Sequence, residues 1–295
     1  MNLLNSIIMG LIQGLTEFLP VSSSGHLAIF KQLFGMEDVG IAFDVLLHVG
    51  TLIAVFVAFW KDIWELIVNA LGIIADICKN IGTWFVNLSK RRMITEKKKP
   101  YIKVISTPYR RFVMLILVTT IPTGIMGIVF DDVIEKASTL LIIPGICLLI
   151  TGVLLLIADN TPAGQKDENT VTYKNAFGIG VCQGLATLPG ISRSGTTIVA
   201  CLVSKIDKTF AVKYSFIMSI PVILGAAVLQ VPDLAKESTS SSEIFNYIIG
   251  MIVAAVVGYI CIKTMLNVVR KKKFKGFAYY CFAMGTIAII AFFVK

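Results

Sequence analysis

Two apolar segments interrupted by proline, glycine and serine place the strongest constraint on the fold of this chain. Residues 13–27 have the sequence QGLTEFLPVSSSGHL, and residues 183–198 have the sequence QGLATLPGISRSGTTI. When residues 10–25 are aligned with 180–195 without a gap, seven of the sixteen positions are identical. Self-similarity at one fixed offset indicates an internal repeat. We therefore expect a fold built from two related halves.

The composition places both halves in a membrane. Only 15% of the residues are charged and 56% are hydrophobic, whereas a soluble domain carries about 25% charged residues. A helix that spans a bilayer needs about 20 largely apolar residues. The sequence therefore predicts an all-α integral membrane protein with six transmembrane helices. The predicted spans are residues 43–60, 112–130, 138–158, 214–231, 244–262 and 276–294.

The remaining apolar segments are predicted to enter the membrane without crossing it in one straight helix. Residues 62–88 carry charges at mixed spacing, which favours an amphipathic helix at the membrane interface. Residues 1–30 and 176–203 are apolar but broken in the middle, and a broken helix is tolerated at membrane depth only inside protein or beside a water-filled cavity. We predict that each forms a re-entrant helical hairpin.

Each predicted half contains one hairpin and three spans, and the odd number of spans inverts the second half relative to the first. Within a single membrane domain, 1–295, repeat one covers 1–158 and repeat two covers 176–295. Repeat one includes the interfacial helix and a basic cytoplasmic loop within 61–111. This arrangement places 22 of the 27 Lys and Arg on the inner side and four on the outer side, as the positive-inside rule requires. The net charge is thereby assigned to orientation and lipid contact, so no nucleic-acid partner is expected.

In this arrangement the two hairpins enter from opposite faces, and their tips meet near the middle of the membrane. A new half-helix begins after each break, and the unpaired N–H groups at a helix start attract anions such as phosphate. Ser22 and Ser192 are also ordinary candidates for N-caps. The predicted phosphate-binding residues are Ser22, Ser24, Gly25, Ser192, Ser194, Gly195 and Thr197.

Four residues make up the predicted catalytic set. Arg193 is a cation inside an apolar segment, where charges are costly and usually functional, and its guanidinium group suits a phosphate; the alternative is a structural ion pair with Glu17. Glu17 is predicted to act as a base or to hold a divalent cation. Ser23 and His26, three residues apart, are the predicted nucleophile and proton-transfer group. The predicted supporting residues are Gln13 and Gln183.

These motifs resemble the two signatures of the undecaprenyl pyrophosphate phosphatase family, the UppP or BacA type. The first signature, a Glu/Gln-x-x-x-Glu pair followed by P-V-S-S-S/T-G-H, is matched by Gln13, Glu17 and residues 20–26. The second, P-G-x-S-R-S-G-x-T, is matched by residues 189–197. The resemblance runs the length of the chain in segment order. Gln13 leaves Glu17 as the sole carboxylate of the first signature, which argues against a metal site with two carboxylates.

The resemblance implies an enzyme that removes the terminal phosphate of undecaprenyl diphosphate and so recycles the lipid carrier for cell-wall synthesis. It also implies a bacterial inner-membrane location, a link to bacitracin resistance and a divalent cation, Mg²⁺ or Ca²⁺. The expected partners are a polyprenyl diphosphate and membrane lipids, and the predicted topology opens the active site to the outer face. Several alternatives stay open: Ser23, Ser22 or water as the attacking group, a homodimer, and an inverted-repeat transporter or flippase for an anionic or phosphorylated lipid.

Overall fold

The computed structural model describes residues 1–36, 39–90, 97–162, 164–234, 240–271 and 274–294, and within them the fold is helical. Outside the helices, the described residues contain one isolated β-bridge, between Lys166 and Ile206. This confirms the predicted all-α class. The helices are α1 (Leu3–Phe18), α2 (Ser23–Leu33), α3 (Ile41–Ala58), α4 (Trp60–Lys90), α5 (Pro108–Val129), α6 (Asp131–Thr139), α7 (Ile142–Asn160), α8 (Tyr173–Leu185), α9 (Arg193–Val203), α10 (Lys208–Leu234), α11 (Ser241–Arg270) and α12 (Lys275–Val294).

Six helices in the described part of the chain are long and apolar enough to cross a membrane. Five of them, α5, α7, α10, α11 and α12, correspond to predicted spans. The sixth is α4, whereas the predicted span at 43–60 falls on α3, which has 18 residues. α3 ends at Ala58, and the long α4 begins after a non-helical Phe59.

α4 contacts the beginning of α5. Asp62 accepts a hydrogen bond from the Tyr109 hydroxyl at 2.9 Å, and Asp76 accepts one from Arg110 at 2.6 Å. The two aspartates are separated by about 21 Å of helix, yet both contact the first turn of α5. The first turn of α5 is thus held to α4 by two separate contacts. The interfacial helix expected at residues 62–88 stays a prediction.

Part of the predicted basic loop is bound along α4. Residues 91–96 of that loop lie outside the described residues. Beyond them, Asn87 of α4 pairs with the backbone N–H and C=O of Lys99, at 2.8 and 2.9 Å, and Asn80 pairs in the same way with Ile102, at 2.8 Å for both bonds. The chain thus returns antiparallel to α4 before α5 begins.

The two interrupted segments form helical hairpins. α1 packs against α2 around residues 19–22, and α8 packs against α9 around residues 186–192. Leu19 is extended, as expected for a residue before proline, and Ser22 has a positive φ of 69°. Gly190 has a φ of 95°, which glycine adopts readily. Entry of the hairpins into the membrane from opposite faces stays a prediction.

Each hairpin packs against a long helix of the other half. α1 packs most extensively on α11, and α8 packs on α5. A Cβ at Gly10 would lie 2.4 Å from the Gly250 oxygen, and one at Gly180 would lie 2.2 Å from the Thr119 oxygen. Gly10 and Gly180 are equivalent positions of the repeat, so the same residue permits the same close helix approach twice. The predicted division into two repeats stays a prediction.

Candidate active site

Glu17, in the last turn of α1, lies at the centre of a buried polar cluster. Its side chain is 3% exposed. It accepts a hydrogen bond from the Ser23 hydroxyl at 2.5 Å and from the Gln13 amide nitrogen at 3.1 Å. Its other oxygen forms an ion pair with the guanidinium group of Arg193. The structure thus brings two predicted catalytic residues, Ser23 and Arg193, into contact with a third, Glu17.

Ser23 and Arg193 occupy equivalent positions of the repeat. Ser23 is the first residue of α2 and Arg193 is the first residue of α9. Both half-helices therefore direct their first side chain at the same carboxylate. The chemistry differs between the two sides, because one supplies a hydroxyl and the other supplies a cation. Glu17 has no counterpart of its kind, since the equivalent residue in the second hairpin is Thr187.

The start of each half-helix packs against the break of the other hairpin. A Cβ at Gly25 would lie 2.8 Å from the Cα of Gly190. A Cβ at Gly195 would lie 3.1 Å from the Cβ of Pro20. At Gly25 a larger side chain has no room, because the atom that it would meet belongs to the backbone. The absence of a side chain at Gly25 thus lets the two tips approach as closely as they do.

The serines at the breaks act as N-caps. The Ser22 hydroxyl accepts a hydrogen bond from the Gly25 N–H at 3.2 Å, and the Ser192 hydroxyl accepts one from the Gly195 N–H at 3.1 Å. These caps leave the N–H groups at the first two positions of each half-helix without intrahelical acceptors. Two clusters of N–H donors therefore remain for an anion. Ser24 and Ser194 lie next to the caps, with their hydroxyl oxygens 3.3 and 3.4 Å from those of Ser22 and Ser192.

Three residues of the cluster are accessible from outside the protein. Ser23 and Ser24 are half-buried, and the Arg193 side chain is 20% exposed. Gln13 and Glu17 lie behind them and are buried. A ligand would therefore meet the hydroxyl groups and the guanidinium group before it reached the carboxylate.

Two predicted residues point elsewhere. Gln183 donates to the Thr123 hydroxyl at 3.0 Å, and Thr197 shares a hydrogen bond of 2.5 Å with the Ser215 hydroxyl. Both are fully buried. Their side chains join the second hairpin to α5 and α10, and they do not contact Glu17.

His26 is bound on both of its ring nitrogens. Nδ1 lies 2.7 Å from the Ser22 carbonyl oxygen, and Nε2 lies 2.7 Å from the Tyr280 hydroxyl. Because a carbonyl oxygen can only accept, Nδ1 carries the hydrogen. The sequence predicts that His26 shares a helix face with Ser23, but the ring is instead engaged by Ser22 and by α12. Tyr280 is not among the predicted site residues, because it lies in an apolar span and only its hydroxyl group distinguishes it from the residues around it.

Comparison with known proteins places these features in a family. The family model described as bacitracin resistance protein BacA matches residues 6–287. An undecaprenyl-diphosphatase of Methanosphaera stadtmanae is 40% identical over 290 residues, 98% of each chain. One of Halothermothrix orenii is 38% identical with the same coverage, and undecaprenyl-diphosphatase 4 of Bacillus thuringiensis is 37% identical over 289 residues, 98% of this chain and 97% of the relative. These matches confirm the resemblance stated from the two signatures.

Proposed function

Because the chain belongs to the BacA family, we propose that this multi-pass membrane protein hydrolyses undecaprenyl diphosphate to undecaprenyl phosphate and inorganic phosphate. The observation that carries the proposal is the convergence of the Ser23 hydroxyl and the Arg193 guanidinium group on Glu17. The reaction recycles the lipid carrier for cell-wall synthesis. The relatives' name as undecaprenyl-diphosphatases supports this choice of substrate.

The diphosphate group binds at the two half-helix starts. Arg193 exchanges part of its contact with Glu17 for the terminal phosphate, which its planar fork of donors can bind in bidentate fashion. The N–H groups that begin α2 and α9 supply further donors. These groups stabilise the charge that develops on the phosphate oxygens in the transition state.

The bond of 2.5 Å between Ser23 and Glu17 suits proton transfer during attack. The Ser23 oxygen attacks the terminal phosphorus, its proton passes to Glu17, and the bond from phosphorus to the bridging oxygen breaks. Undecaprenyl phosphate leaves, and water then cleaves the phosphoserine to regenerate Ser23 and release phosphate. In the alternative, water attacks directly while Glu17 takes its proton and Ser23 orients it. Ser22 is the weaker candidate nucleophile, because its hydroxyl already caps α2.

We also propose a divalent cation, Mg²⁺ or Ca²⁺, at this site. The Oε1 of Gln13 is buried without a hydrogen-bond partner in the described structure, and the Gln13 amide nitrogen contacts Glu17. An amide oxygen beside a carboxylate fits a hard cation, and magnesium in particular is often held largely by substrate phosphates. Among the described residues there is no group of three His, Cys, Asp or Glu that could hold a metal alone. When bound, the cation would neutralise charge on the diphosphate.

The proposed location is the bacterial inner membrane, with the site open to the outer face. Positive charge on the segments assigned to the inner side supports this orientation. In a cysteine-free background, Phe34→Cys, at an exposed position after α2, should react with a membrane-impermeant thiol reagent added outside intact cells. Protection of that cysteine until the cells are opened would reverse the orientation. The homodimer stays a prediction.

Phosphate release by the purified protein in detergent tests the proposed activity. We expect one phosphate per undecaprenyl diphosphate consumed. With terminally labelled substrate, a covalent route predicts label on Ser23 after acid quenching, whereas direct attack by water predicts none. No release in detergent combined with flux of the lipid across vesicles would replace the enzyme with the transporter or flippase.

A further inference from the structure

Two hydrogen bonds link α12 to the break of the first hairpin. The Tyr280 hydroxyl contacts Nε2 of His26, and Nδ1 of His26 contacts the carbonyl oxygen of Ser22, both at 2.7 Å. The imidazole ring is 1% exposed, whereas Tyr280 is 41% exposed. A single ring thus connects a half-exposed tyrosine to the residue that precedes Ser23.

Ser22 adopts a backbone conformation that needs support. Its φ of 69° lies in the left-handed region, which residues with a Cβ rarely adopt. Its carbonyl oxygen accepts both the backbone N–H of His26, at 3.2 Å, and the imidazole Nδ1–H. These bonds fix the direction in which the chain enters α2, and that direction sets where the Ser23 hydroxyl lies relative to Glu17.

The bond to Ser22 requires one tautomer of His26. Only an imidazole with hydrogen on Nδ1 can donate to the carbonyl oxygen. A buried imidazolium is costly without an acidic partner, so the ring is neutral and Nε2 accepts from the Tyr280 O–H. Without that donor, the Nε2 edge of the ring loses its anchor, and the ring can turn so that Nδ1–H no longer meets the Ser22 carbonyl.

We infer that Tyr280 is a positioning residue, whose hydroxyl anchors the His26 ring so that its Nδ1–H holds the Ser22 carbonyl and so aligns Ser23 with Glu17. The inference rests on the proposed function and adds a residue from the far end of the chain to that site. His26 then acts by holding the interrupted turn, and not by exchanging a proton with Ser23.

The kinetic test compares Tyr280→Phe with Tyr279→Phe. Tyr279 is the neighbouring residue of α12 and is 64% exposed, so it controls for loss of a hydroxyl from the same helix. For Tyr280→Phe we expect kcat to fall about three- to tenfold, the effect of one lost hydrogen bond, with KM changed less than twofold. Combining it with His26→Gln should add no further loss, because both changes remove the same support. An additive loss or an unchanged kcat would overturn the inference.

A spectroscopic test is independent of activity. The chain has only two histidines, so ¹⁵N-histidine labelling gives few imidazole signals. One ring should show the Nδ1–H tautomer in the unmodified protein, and Tyr280→Phe should shift its Nε2 signal while Tyr279→Phe leaves it in place. An unmoved signal in Tyr280→Phe would refute the anchoring of His26 by Tyr280, even in an active enzyme. Absence of phosphate release by the unmodified protein would refute the proposed function, while the shift would still establish the bond.

Discussion

Arg193 and Glu17 form a largely buried ion pair in which each side chain compensates the charge of the other. The guanidinium side chain is 20% exposed and the carboxylate side chain is 3% exposed. Two charges removed from water lose their hydration, so either one left alone is strongly destabilising. The same property makes Arg193 responsive to a phosphate, because an anion that enters the site competes with Glu17 for the guanidinium group.

Arg193→Ala should lower kcat/KM roughly 10²- to 10³-fold, since loss of one donor to the transition-state charge costs about 2.7–4 kcal/mol. The matched control is Arg110→Ala. Arg110 forms an ion pair with Asp76, with the two side chains 15% and 13% exposed, but at the beginning of α5 and away from Glu17. The control should lower the melting temperature while kcat/KM stays within a few-fold. Equal losses of kcat/KM in the two variants would show that Arg193 contributes only stability.

Gln13→Glu tests the proposed cation. It replaces an amide that donates to Glu17 at 3.1 Å with a second carboxylate, and two neighbouring carboxylates favour a bound divalent cation. We expect the concentration of Mg²⁺ or Ca²⁺ that gives half-maximal phosphate release to fall. Gln183→Glu, at the equivalent position beside Thr123, should leave it unchanged. A cation requirement that does not respond to Gln13→Glu would place the metal elsewhere.

The local sequence predicts some of these contacts but gives no indication of others. Glu17, Ser23 and Arg193 lie in two signatures, each next to a helix break, so their meeting follows once the hairpin tips are paired. The partner of His26 could not be predicted in this way. Tyr280 is 254 residues away, and no spacing rule relates a polar group on α12 to a turn in the first hairpin. The inward direction of Gln183 and Thr197 likewise depends on how α5 and α10 pack.

At the scale of helices, the packing of each hairpin depends on glycines that the repeat shares. Gly10→Ala and Gly180→Ala should each lower the thermal stability, by about 1–3 kcal/mol, because the added Cβ would overlap a backbone oxygen of α11 or α5. Gly178→Ala, also on α8, has nothing within 4 Å and should be neutral or slightly stabilising, since alanine favours helix. If the three variants melt at the same temperature, the close approach of the helices at Gly10 and Gly180 does not contribute to stability.

The elements themselves were predictable to different degrees. Proline, glycine and serine runs located both breaks, because these residues end helices for local reasons. Composition alone did not show how differently α3 and α4 are buried. α3 packs extensively against α11, whereas most of the longer α4 is exposed. The burial of a helix depends on neighbours that are distant in the chain.

For the molecule as a whole, the site requires both halves. Glu17 and Ser23 come from the first repeat and Arg193 comes from the second, and each hairpin packs on a long helix of the opposite half. Fragments 1–162 and 163–295 should therefore release no phosphate when either is produced alone. Co-expressed in one membrane, they should regain activity because the helix pairs between them are extensive. Activity in the first fragment by itself would remove the second hairpin from the reaction.

The equivalence of Ser23 and Arg193 also bears on how such a centre can arise. Two identical subunits related by an axis of symmetry present the same side chain twice at their junction, so they offer two alcohols or two cations. Joining both copies in one polypeptide lets each position change by itself. The attacking hydroxyl and the cation that stabilises charge can then occupy equivalent positions. A symmetric pair of identical chains cannot place two different side chains in this way.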